Sequence, residues 1–298
     1  MPTAKEIKGR IDSVKNVRQI TKTMKAVASA KLSRAKETIE QSRPYSKSIE
    51  SLIQSILRRH SDIDHSFLTS TGDDGNQFVD DQPLYLVLTG DRGLCGAFNS
   101  NVQRRVDTIL DNHENAQLHV VGKQGLAYFE HQEAPVEKSY VDFWDEFGYG
   151  EARMITDHLI DEFELSDTSS VTLVYNEFET AMTQKVVEYP LLPLDRDDFA
   201  ADQESSEDVP EQIDFLYEPD ARQIINRLFP RHVRTQVYTA LLESDASEQG
   251  ARMVAMDNAT ENANEMIDDL TLDYNQIRQA TITQEIAEIV GGAEALKE

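Results

Sequence analysis

A single cysteine and the absence of long apolar runs set the first limits on this chain. Cys95 is the only cysteine among 298 residues, so no intramolecular disulfide can form, and a reducing compartment is expected. No run of about 18 apolar residues occurs, so no helix is predicted to span a membrane. The opening residues, MPTAKEIKGRIDSV, contain no apolar signal core, and secretion is therefore not expected.

Aromatic residues are also scarce. They make up 7% of the chain, and the hydrophobic residues together make up 39%. This is little apolar material for a compact globule of this size. It favours a shape with much surface, such as long helices.

The glycines, the cysteine and the histidines lack the spacing that is typical of nucleotide-binding, catalytic and metal sites. The segment GDRGLCG, residues 90–96, follows a predicted strand, but it has no Gly-Lys-Ser/Thr and misses the G-x-G-x-x-G spacing of dinucleotide sites. Nothing places a histidine beside Cys95 as a base, so a small buried residue is expected there. The seven histidines show no zinc-site spacing. We expect no catalytic site, metal or cofactor; a phosphate cradle at 90–96 is an alternative.

The charge of the chain is strongly uneven. Residues 1–59 carry a net charge of +9, residues 60–217 carry −26 and residues 218–298 carry −8, for a total of −25. A basic arm on an acidic body indicates an anionic partner, although pairing with the chain's own carboxylates is an alternative. The dense carboxylates also favour the hypothesis of a saline environment, because they keep a protein hydrated at high salt.

The basic segment KTMKAVASAKLSRAK, residues 22–36, narrows the choice of partner. It contains no Trp, Tyr or Phe, so it lacks both the bulky anchors of membrane-surface helices and the rings that stack on bases. A chain with a net charge of −25 also repels nucleic acid at long range. We therefore predict an acidic protein surface as the partner, and no nucleic acid.

Residues 1–59 are predicted to form an N-terminal coiled-coil helix. From residue 4 the apolar positions recur mainly in steps of three and four, at Ile7, Ile11, Val14, Val17, Ile20, Met24, Val27, Leu32, Ala35 and Ile39, then at Ile49, Leu52 or Ile53, and Ile56. A helix of ~55 residues would be roughly 80 Å long, with a bend expected at Pro44.

Residues 83–194 predict a small α/β domain. Strands are predicted at LYLVLTG and AQLHVVGKQG, and SVTLVYNEFETAMTQKVVEYPLLPL is read as two strands joined by a turn. A helix from Ser100 and a helix in GEARMITDHLIDEFEL alternate with them, which favours a largely parallel sheet. Residues 60–82 are read as a loop, and the acidic residues 195–217 as a linker.

Residues 218–298 form a second long helical pattern. It is predicted to begin at Pro219 and to be interrupted at Pro230. Neither long helix can bury its apolar stripe alone, so we predict that the two pair as an antiparallel coiled coil, a rod standing on the small α/β foot domain. The last turns, TITQEIAEIVGGAEAL, place apolar side chains at Ile282, Ile286, Ile289, Ala293 and Leu296.

Five segments, in order along nearly the whole chain, resemble the gamma subunit of bacterial F-type ATP synthase. They are AKEIKGRIDSVKNVRQITKTMKAVASAKL (4–32), TGDRGLCGAFN (89–99), FLYEPD (215–220), SEQGARMVAMDNATENA (247–263) and YNQIRQATITQEIAEIVGGAEAL (274–296). The last segment is highly specific to that family. The resemblance implies a Rossmann-like α/β foot domain that carries a long antiparallel α-helical coiled coil.

By this resemblance the chain would be a rotor shaft. The coiled coil would lie inside a ring of three alpha and three beta subunits, and the foot would contact the epsilon subunit and the membrane c-ring. Proton or sodium flow would turn the c-ring with the shaft, and the shaft would drive each beta subunit through its nucleotide states. The chain would have no catalytic site of its own and would lie peripherally on the cytoplasmic face of the bacterial plasma membrane.

The resemblance also implies roles for individual residues. Contacts with an acidic lever of the beta subunit would come from Met24, Lys22 and Lys25. Hydrogen bonds with a catch loop of beta would come from Arg252, Gln279 and Thr283. The apolar bearing at the tip would be formed by Ile286, Ile289 and Leu296. The side of the foot that faces the c-ring would contain Phe215, Tyr217 and Glu218.

Other roles are left open by the residues themselves. Packing between the two long helices is an alternative for Met24 and Thr283, and an ion pair within the chain is an alternative for Arg252. A coiled-coil scaffold protein outside the synthase would keep the rod without a rotary role. An α/β enzyme using the turn at 90–96 would require nucleotide affinity in the isolated chain.

Overall fold

The computed structural model describes residues 3–60, 62–68, 82–144, 147–165, 168–199 and 220–295. Its elements are α1 (Ala4–Arg59), β1 (Gln82–Leu88), α2 (Phe98–Asn112), β2 (Gln117–Val121), α3 (Lys123–His131), β3 (Val136–Tyr140), α4 (Tyr149–Leu165), β4 (Thr168–Phe178), β5 (Gln184–Leu192), a 3₁₀ turn (Asp197–Phe199) and α5 (Ala221–Ala295). The predicted foot residues Phe215, Tyr217 and Glu218 and the tip residue Leu296 lie outside the described residues.

The chain divides into two compact units. Met1–Ser29 with Arg252–Glu298 forms one, called the coiled-coil unit below, and Ala30–Ala251 forms the other, called the α/β unit. Helices α1 and α5 each contribute residues to both units.

The α/β unit contains one five-stranded sheet with the order β3-β2-β1-β4-β5. Strand β1 pairs in parallel with β2 and with β4, and β2 pairs in parallel with β3. Strands β4 and β5 form an antiparallel hairpin. The predicted parallel sheet and the two joined strands are therefore confirmed.

The side chains of β1 alternate between two apolar layers. Leu84, Leu86 and Leu88 face a layer that α1, α4 and α5 complete. Tyr85 and Val87 face the opposite layer, which α2 and α3 complete. A strand that is covered by helices on both faces needs apolar residues at nearly every position, which explains the unbroken run LYLVL.

Proline interrupts neither long helix. Helix α1 continues through Pro44 and α5 continues through Pro230, so the predicted interruption at Pro230 is wrong. A proline removes one backbone N–H, which leaves one carbonyl of the preceding turn without its helical partner. The side chains of Phe229 and Val233, on either side of Pro230, are fully buried, and burial of such side chains favours a continuous helix here.

Two elements between β2 and α4 were missed by the sequence reading. Helix α3 is short, and β3 has the polar sequence VEKSY at the edge of the sheet. An edge strand exposes alternate side chains, here Glu137 and Ser139, so it lacks the apolar run of a central strand. Helix α2 begins at Phe98, two residues before the predicted Ser100.

Candidate functional site

Helices α1 and α5 pair along a seam in the coiled-coil unit. On α1 the buried or half-buried positions recur in alternating steps of four and three, at Ile7, Ile11, Val14, Arg18, Thr21, Lys25 and Ala28. On α5 the matching positions are Met256, Thr260, Ala263, Ile267, Leu270, Tyr274 and Ile277. This spacing is the heptad pattern of a coiled coil.

Three polar pairs cross the seam and define its register. The Arg18 guanidinium donates to Asn264 Oδ1 at 3.2 Å, the Thr21 and Thr260 hydroxyls lie 2.8 Å apart, and Lys25 Nζ lies 2.5 Å from Asp257 Oδ1. In antiparallel helices of constant register, the numbers of facing residues have a constant sum. Here the sum is 281 or 282 for each pair, so the register does not shift between the first pair and the last. The sequence reading missed all three pairs.

The same register leaves the end of α5 beyond the first turn of α1. Ala4, where α1 begins, falls opposite residues 277–278 of α5. Residues 279–295, called the projecting segment below, continue α5 for about 25 Å past that point. The exposed fractions of its apolar side chains are 45% for Ile282, 56% for Ile286, 71% for Ile289 and 56% for Val290. These side chains are thus available to another molecule.

Two predicted contact residues lie in the projecting segment. Gln279 and Thr283 are both exposed, and the Thr283 hydroxyl donates to the Gln279 carbonyl at 2.9 Å. Arg252 is half-buried and lies about 40 Å from Gln279 along the helix axis, because 27 residues separate them. The structure therefore does not bring Arg252 together with Gln279 and Thr283.

A second apolar stripe lies on the outside of α1. It consists of Val17, Ile20, Met24 and Val27, called the outer stripe below; Met24 is half-buried and the other three are 52%, 59% and 53% exposed. The predicted core stripe of α1 ran through these four residues, and that part of the prediction is wrong. The seam continues in steps of four and three from Ile7 and Ile11. This spacing places the residue that follows each member of the outer stripe on the seam.

The predicted contacts with the beta lever do not share one face of α1. Lys22 and Met24 are two residues apart, which on an α-helix is a rotation of about 200°. Lys22 is exposed, whereas Lys25 lies on the seam beside Asp257 with its side chain 40% exposed. A single flat surface therefore cannot contact Lys22 and Met24 together.

In the α/β unit, Asp91 holds the turn at residues 90–96. Its carboxylate accepts hydrogen bonds from the backbone N–H groups of Lys123 at 3.0 Å, Phe143 at 3.1 Å and Trp144 at 3.4 Å. The Trp144 indole N–H donates to the Thr89 carbonyl at 2.7 Å. These bonds join the end of β1 to the segments that follow β2 and β3, which is a structural role.

Helix α5 lies against the edge of the sheet where α/β folds bind ligands. That position is the carboxyl end of the strands where the strand order reverses, here between β1 and β4. The Glu248 carboxylate lies 3.0–3.1 Å from a Cβ built on Gly90, and the Ser247 hydroxyl donates to the Asn176 carbonyl at 2.9 Å. The Glu248 side chain occupies the space beside Gly90 that a phosphate group would need, so the geometry disfavours a phosphate cradle at 90–96.

Cys95 is buried, as predicted. It is 2% exposed and packs with Phe98 and Ala251. Its sulfur accepts a hydrogen bond from the Asn99 side-chain amide at 3.3 Å. The thiol therefore contributes to packing under the turn.

Two histidines of the α/β unit are also buried. His119 on β2 packs edge-on against Tyr140, and His232 on α5 packs edge-on against Phe199. Burial lowers the pKa of His119 and of His232 to about 4, so both rings are neutral at pH 7. In the part of the chain that the structure describes, no group of three or more His, Cys, Asp or Glu could hold a metal ion.

Similarity to known proteins extends over the whole chain. The sequence profile of the family described as ATP synthase matches residues 3–296. The ATP synthase gamma chain of Heliobacterium modesticaldum is 40% identical over 296 residues, which cover 99% of this chain and 100% of that protein. The chain belongs to the ATP synthase gamma chain family. The predicted family is thereby confirmed.

Solved structures agree with the fold of this gamma chain. A chain in the cryo-EM structure of the central stalk and c-ring of Tetrahymena thermophila mitochondrial ATP synthase has a TM-score of 0.60 and 27% identity, covering 80% of this chain and 99% of that one. A chain of Euglena gracilis mitochondrial ATP synthase has a TM-score of 0.68 and 21% identity, covering 98% and 94%. The predicted fold class, an α/β domain with a long antiparallel coiled coil, is confirmed.

Among the helices that the structure describes, none combines the length and the hydropathy that a membrane-spanning segment requires.

Proposed function

We propose that this gamma chain is the rotating central shaft of an F-type ATP synthase. One observation carries the proposal: the coiled-coil unit has an apolar outer stripe and an apolar projecting segment that the chain itself leaves exposed. Apolar surface of this kind on a water-exposed element marks contacts with other proteins. The similar Tetrahymena structure, which is named as a central stalk with its c-ring, supports the same setting.

The shaft acts by mechanical coupling. It lies within a ring of three alpha and three beta subunits and turns with the membrane c-ring, driven by proton or sodium flow. Because the shaft is asymmetric, it contacts the three beta subunits differently at any moment. Each contact biases the conformational equilibrium of one beta subunit, and rotation passes that bias from one beta subunit to the next.

Charge adds to the asymmetry of the shaft. Residues 4–29 of α1 carry seven Lys and Arg against two Asp and Glu, whereas residues 252–278 of α5 carry two against six. An acidic lever on a beta subunit is attracted by the α1 side and repelled by the α5 side. The same lever therefore feels a different force as each side of the shaft turns past it.

The contacts with beta are assigned to both ends of the coiled-coil unit. On α1 they are Met24 of the outer stripe, Lys22 on the opposite flank and the exposed part of Lys25. On α5 they are Arg252, with Gln279 and Thr283 in the projecting segment. Residues that lie on opposite flanks contact different beta subunits, because the ring surrounds the shaft.

The remaining contacts are assigned to the two ends of the shaft. Ile286, Ile289 and Leu296 form a bearing inside an apolar sleeve at the top of the ring, where few charges on the helix oppose rotation. Phe215, Tyr217 and Glu218 face the c-ring, and the α/β unit contacts the epsilon subunit. The protein is peripheral to the cytoplasmic face of the bacterial plasma membrane through these partners.

The gamma chain has no catalytic site of its own in this proposal. Nucleotide chemistry belongs to the alpha and beta subunits. The position of Glu248 beside Gly90, at the edge where an α/β sheet would hold a phosphate, supports this assignment. The isolated chain is expected not to bind ATP in an equilibrium binding measurement.

Reconstitution with alpha and beta subunits from the same source tests the proposal. We expect size exclusion to yield a complex of three alpha, three beta and one gamma chain, with ATP hydrolysis that depends on the gamma chain. Truncation after Ala280 removes most of the projecting segment and is expected to weaken assembly or torque. If no complex forms and hydrolysis is the same without the chain, the shaft function is wrong and a scaffold role replaces it.

A further inference from the structure

The seam of the coiled coil is polar where an apolar alternative lies one residue away. Three consecutive seam positions of α1 are Arg18, Thr21 and Lys25. The residue before each of them belongs to the outer stripe: Val17, Ile20 and Met24. Between residues 17 and 25, α1 therefore carries two candidate seams with the same spacing, one polar and one apolar.

Between residues 17 and 27, burial of apolar surface alone favours the other seam, whereas Ile7, Ile11 and Val14 favour the present one, because the residues before them are Glu6, Arg10 and Ser13. A rotation of α1 by about 100° around its axis would move each residue into the place of its successor. Val17, Ile20 and Val27, which are each more than half exposed, would then be covered by α5. Within this stretch, an interaction other than apolar burial must therefore favour the orientation that the structure has, in addition to the apolar seam residues Ile7, Ile11 and Val14.

The facing side chains of α5 supply that interaction. In the rotated arrangement, apolar side chains of α1 would cover the carboxylate of Asp257, the hydroxyl of Thr260 and the amide of Asn264. Each of these groups would lose its present partner on α1 and part of its water, which is unfavourable for polar groups, while the Thr260 hydroxyl would keep its hydrogen bond to the Met256 carbonyl. The polar residues of α5 thus select the polar seam of α1.

We propose that the three pairs Arg18–Asn264, Thr21–Thr260 and Lys25–Asp257 are positioning residues that set the rotational orientation of α1 on α5. Thr21 is the buried centre of the group, with 8% exposure. Polar residues at single seam positions are known to specify the register of coiled coils at some cost in stability. The flanking pairs are partly exposed and individually weak, so the three pairs act together.

The orientation has a consequence for the partner surface. It keeps the outer stripe, including Met24, on the outside of the coiled coil, where the beta subunits are proposed to lie. That consequence rests on the proposed function. The orientation itself is a property of the gamma chain alone, so it is tested without the ring, and a failure of one hypothesis leaves the other standing.

Cysteine labelling of the full-length chain measures the orientation. Two probes are introduced separately, Ile20→Cys at an outer position that is 59% exposed and Ala28→Cys at a seam position that is 1% exposed. Maleimide is expected to label the first rapidly and the second slowly. The native Cys95, at 2% exposure, serves in every sample as a reporter that the α/β unit remains folded.

The probes are then placed in a chain that lacks the α1 side of the pairs, with Arg18→Ala, Thr21→Ala and Lys25→Ala. A matched control carries Arg10→Ala, Lys15→Ala and Thr23→Ala, which removes the same kinds of side chain from exposed positions. In the test chain we expect labelling at Ile20→Cys to slow by about tenfold, equivalent to about 1.4 kcal/mol, and labelling at Ala28→Cys to speed up. The control chain should label like the parent.

Two results would overturn the proposal. Unchanged labelling at both probes would mean that the pairs do not determine the orientation. Rapid labelling at both probes would mean that the helices separate, so that the pairs hold the coiled coil together without choosing between its two seams.

Discussion

A Cβ atom built on Gly250 of helix α5 lies 3.2 Å from the Cα of Ala181, in the turn between β4 and β5. The helix therefore meets the hairpin through backbone atoms, and the ring of Phe178 lies 3.4 Å from the same Cβ position. Gly9 of helix α1 is the contrasting case, because a Cβ there meets no atom within 4 Å. Close packing thus explains the glycine at 250 but not the glycine at 9.

Alanine substitution at these two glycines should have different effects on stability. Alanine at a helix interior normally stabilises by about 0.5–1 kcal/mol, because glycine loses more backbone entropy on folding. Gly9→Ala should show that gain in the free energy of unfolding. Gly250→Ala should not show that gain in the free energy of unfolding, because the new methyl group would push the Ala181 backbone out of its place. Chemical denaturation followed by circular dichroism measures both, and an equal gain for both variants would contradict the close contact.

Stability of the α/β unit should fall as the pH is lowered from 6.5 to about 4. His119 and His232 have a pKa of about 4 in the folded chain, against an ordinary value of 6.5. Between these values the unfolded chain binds more protons than the folded chain, so acid favours unfolding. Each histidine should contribute a loss of about 3 kcal/mol by pH 4, with no further loss below it.

Removing the two buried rings should flatten this pH dependence. The double variant His119→Leu and His232→Leu is compared with the parent by denaturation at several values between pH 4.5 and 6.5. The slope of unfolding free energy against pH is the readout, because it does not depend on any uniform loss of stability. His131→Gln, at an exposed position, is the control and should keep the parent slope. A double variant with the parent slope would show that His119 and His232 do not cause the loss of stability in acid.

Salt should stabilise the chain. Its net charge is −25, and repulsion among carboxylates opposes a compact state. Raising the salt from 0.1 M to 1 M shortens the screening length from about 10 Å to about 3 Å, which weakens that repulsion. Thermal unfolding in molar potassium chloride should therefore give a higher midpoint than in dilute buffer. Equal midpoints would remove the hypothesis of adaptation to a saline environment.

A lysine on the outer stripe should disturb coupling more than a lysine elsewhere on α1. Met24→Lys adds a cation to the surface proposed to meet the beta lever, where it would strengthen one contact of the rotation cycle. Thr23→Lys adds the same side chain at an exposed position that lies about 100° around the helix from both Met24 and Lys22. In the reconstituted enzyme, Met24→Lys should lower ion transport per ATP hydrolysed, while Thr23→Lys should not. Equal effects of the two lysines would argue against a specific contact at Met24.

Periodicity along the chain was enough to predict the large elements. The apolar run LYLVL and the joined strands near residue 190 predicted a sheet that helices cover, and steps of three and four predicted both long helices. The edge strand VEKSY was not predicted because its composition is polar. It is a strand because it pairs with β2 in the sheet. The prediction at Pro230 was wrong because the lost backbone hydrogen bond can be read from the sequence, whereas the burial of the neighbouring side chains can be read only from the fold.

The sequence by itself determined that α1 and α5 are helices and that each carries a stripe to be buried. It did not decide which stripe of α1 faces its partner, because Val17, Ile20, Met24 and Val27 have the same spacing as Arg18, Thr21, Lys25 and Ala28. Tertiary structure made that choice. The polar side chains of Asp257, Thr260 and Asn264, far away in the sequence, pair with Lys25, Thr21 and Arg18, and an apolar stripe offers them no such partners.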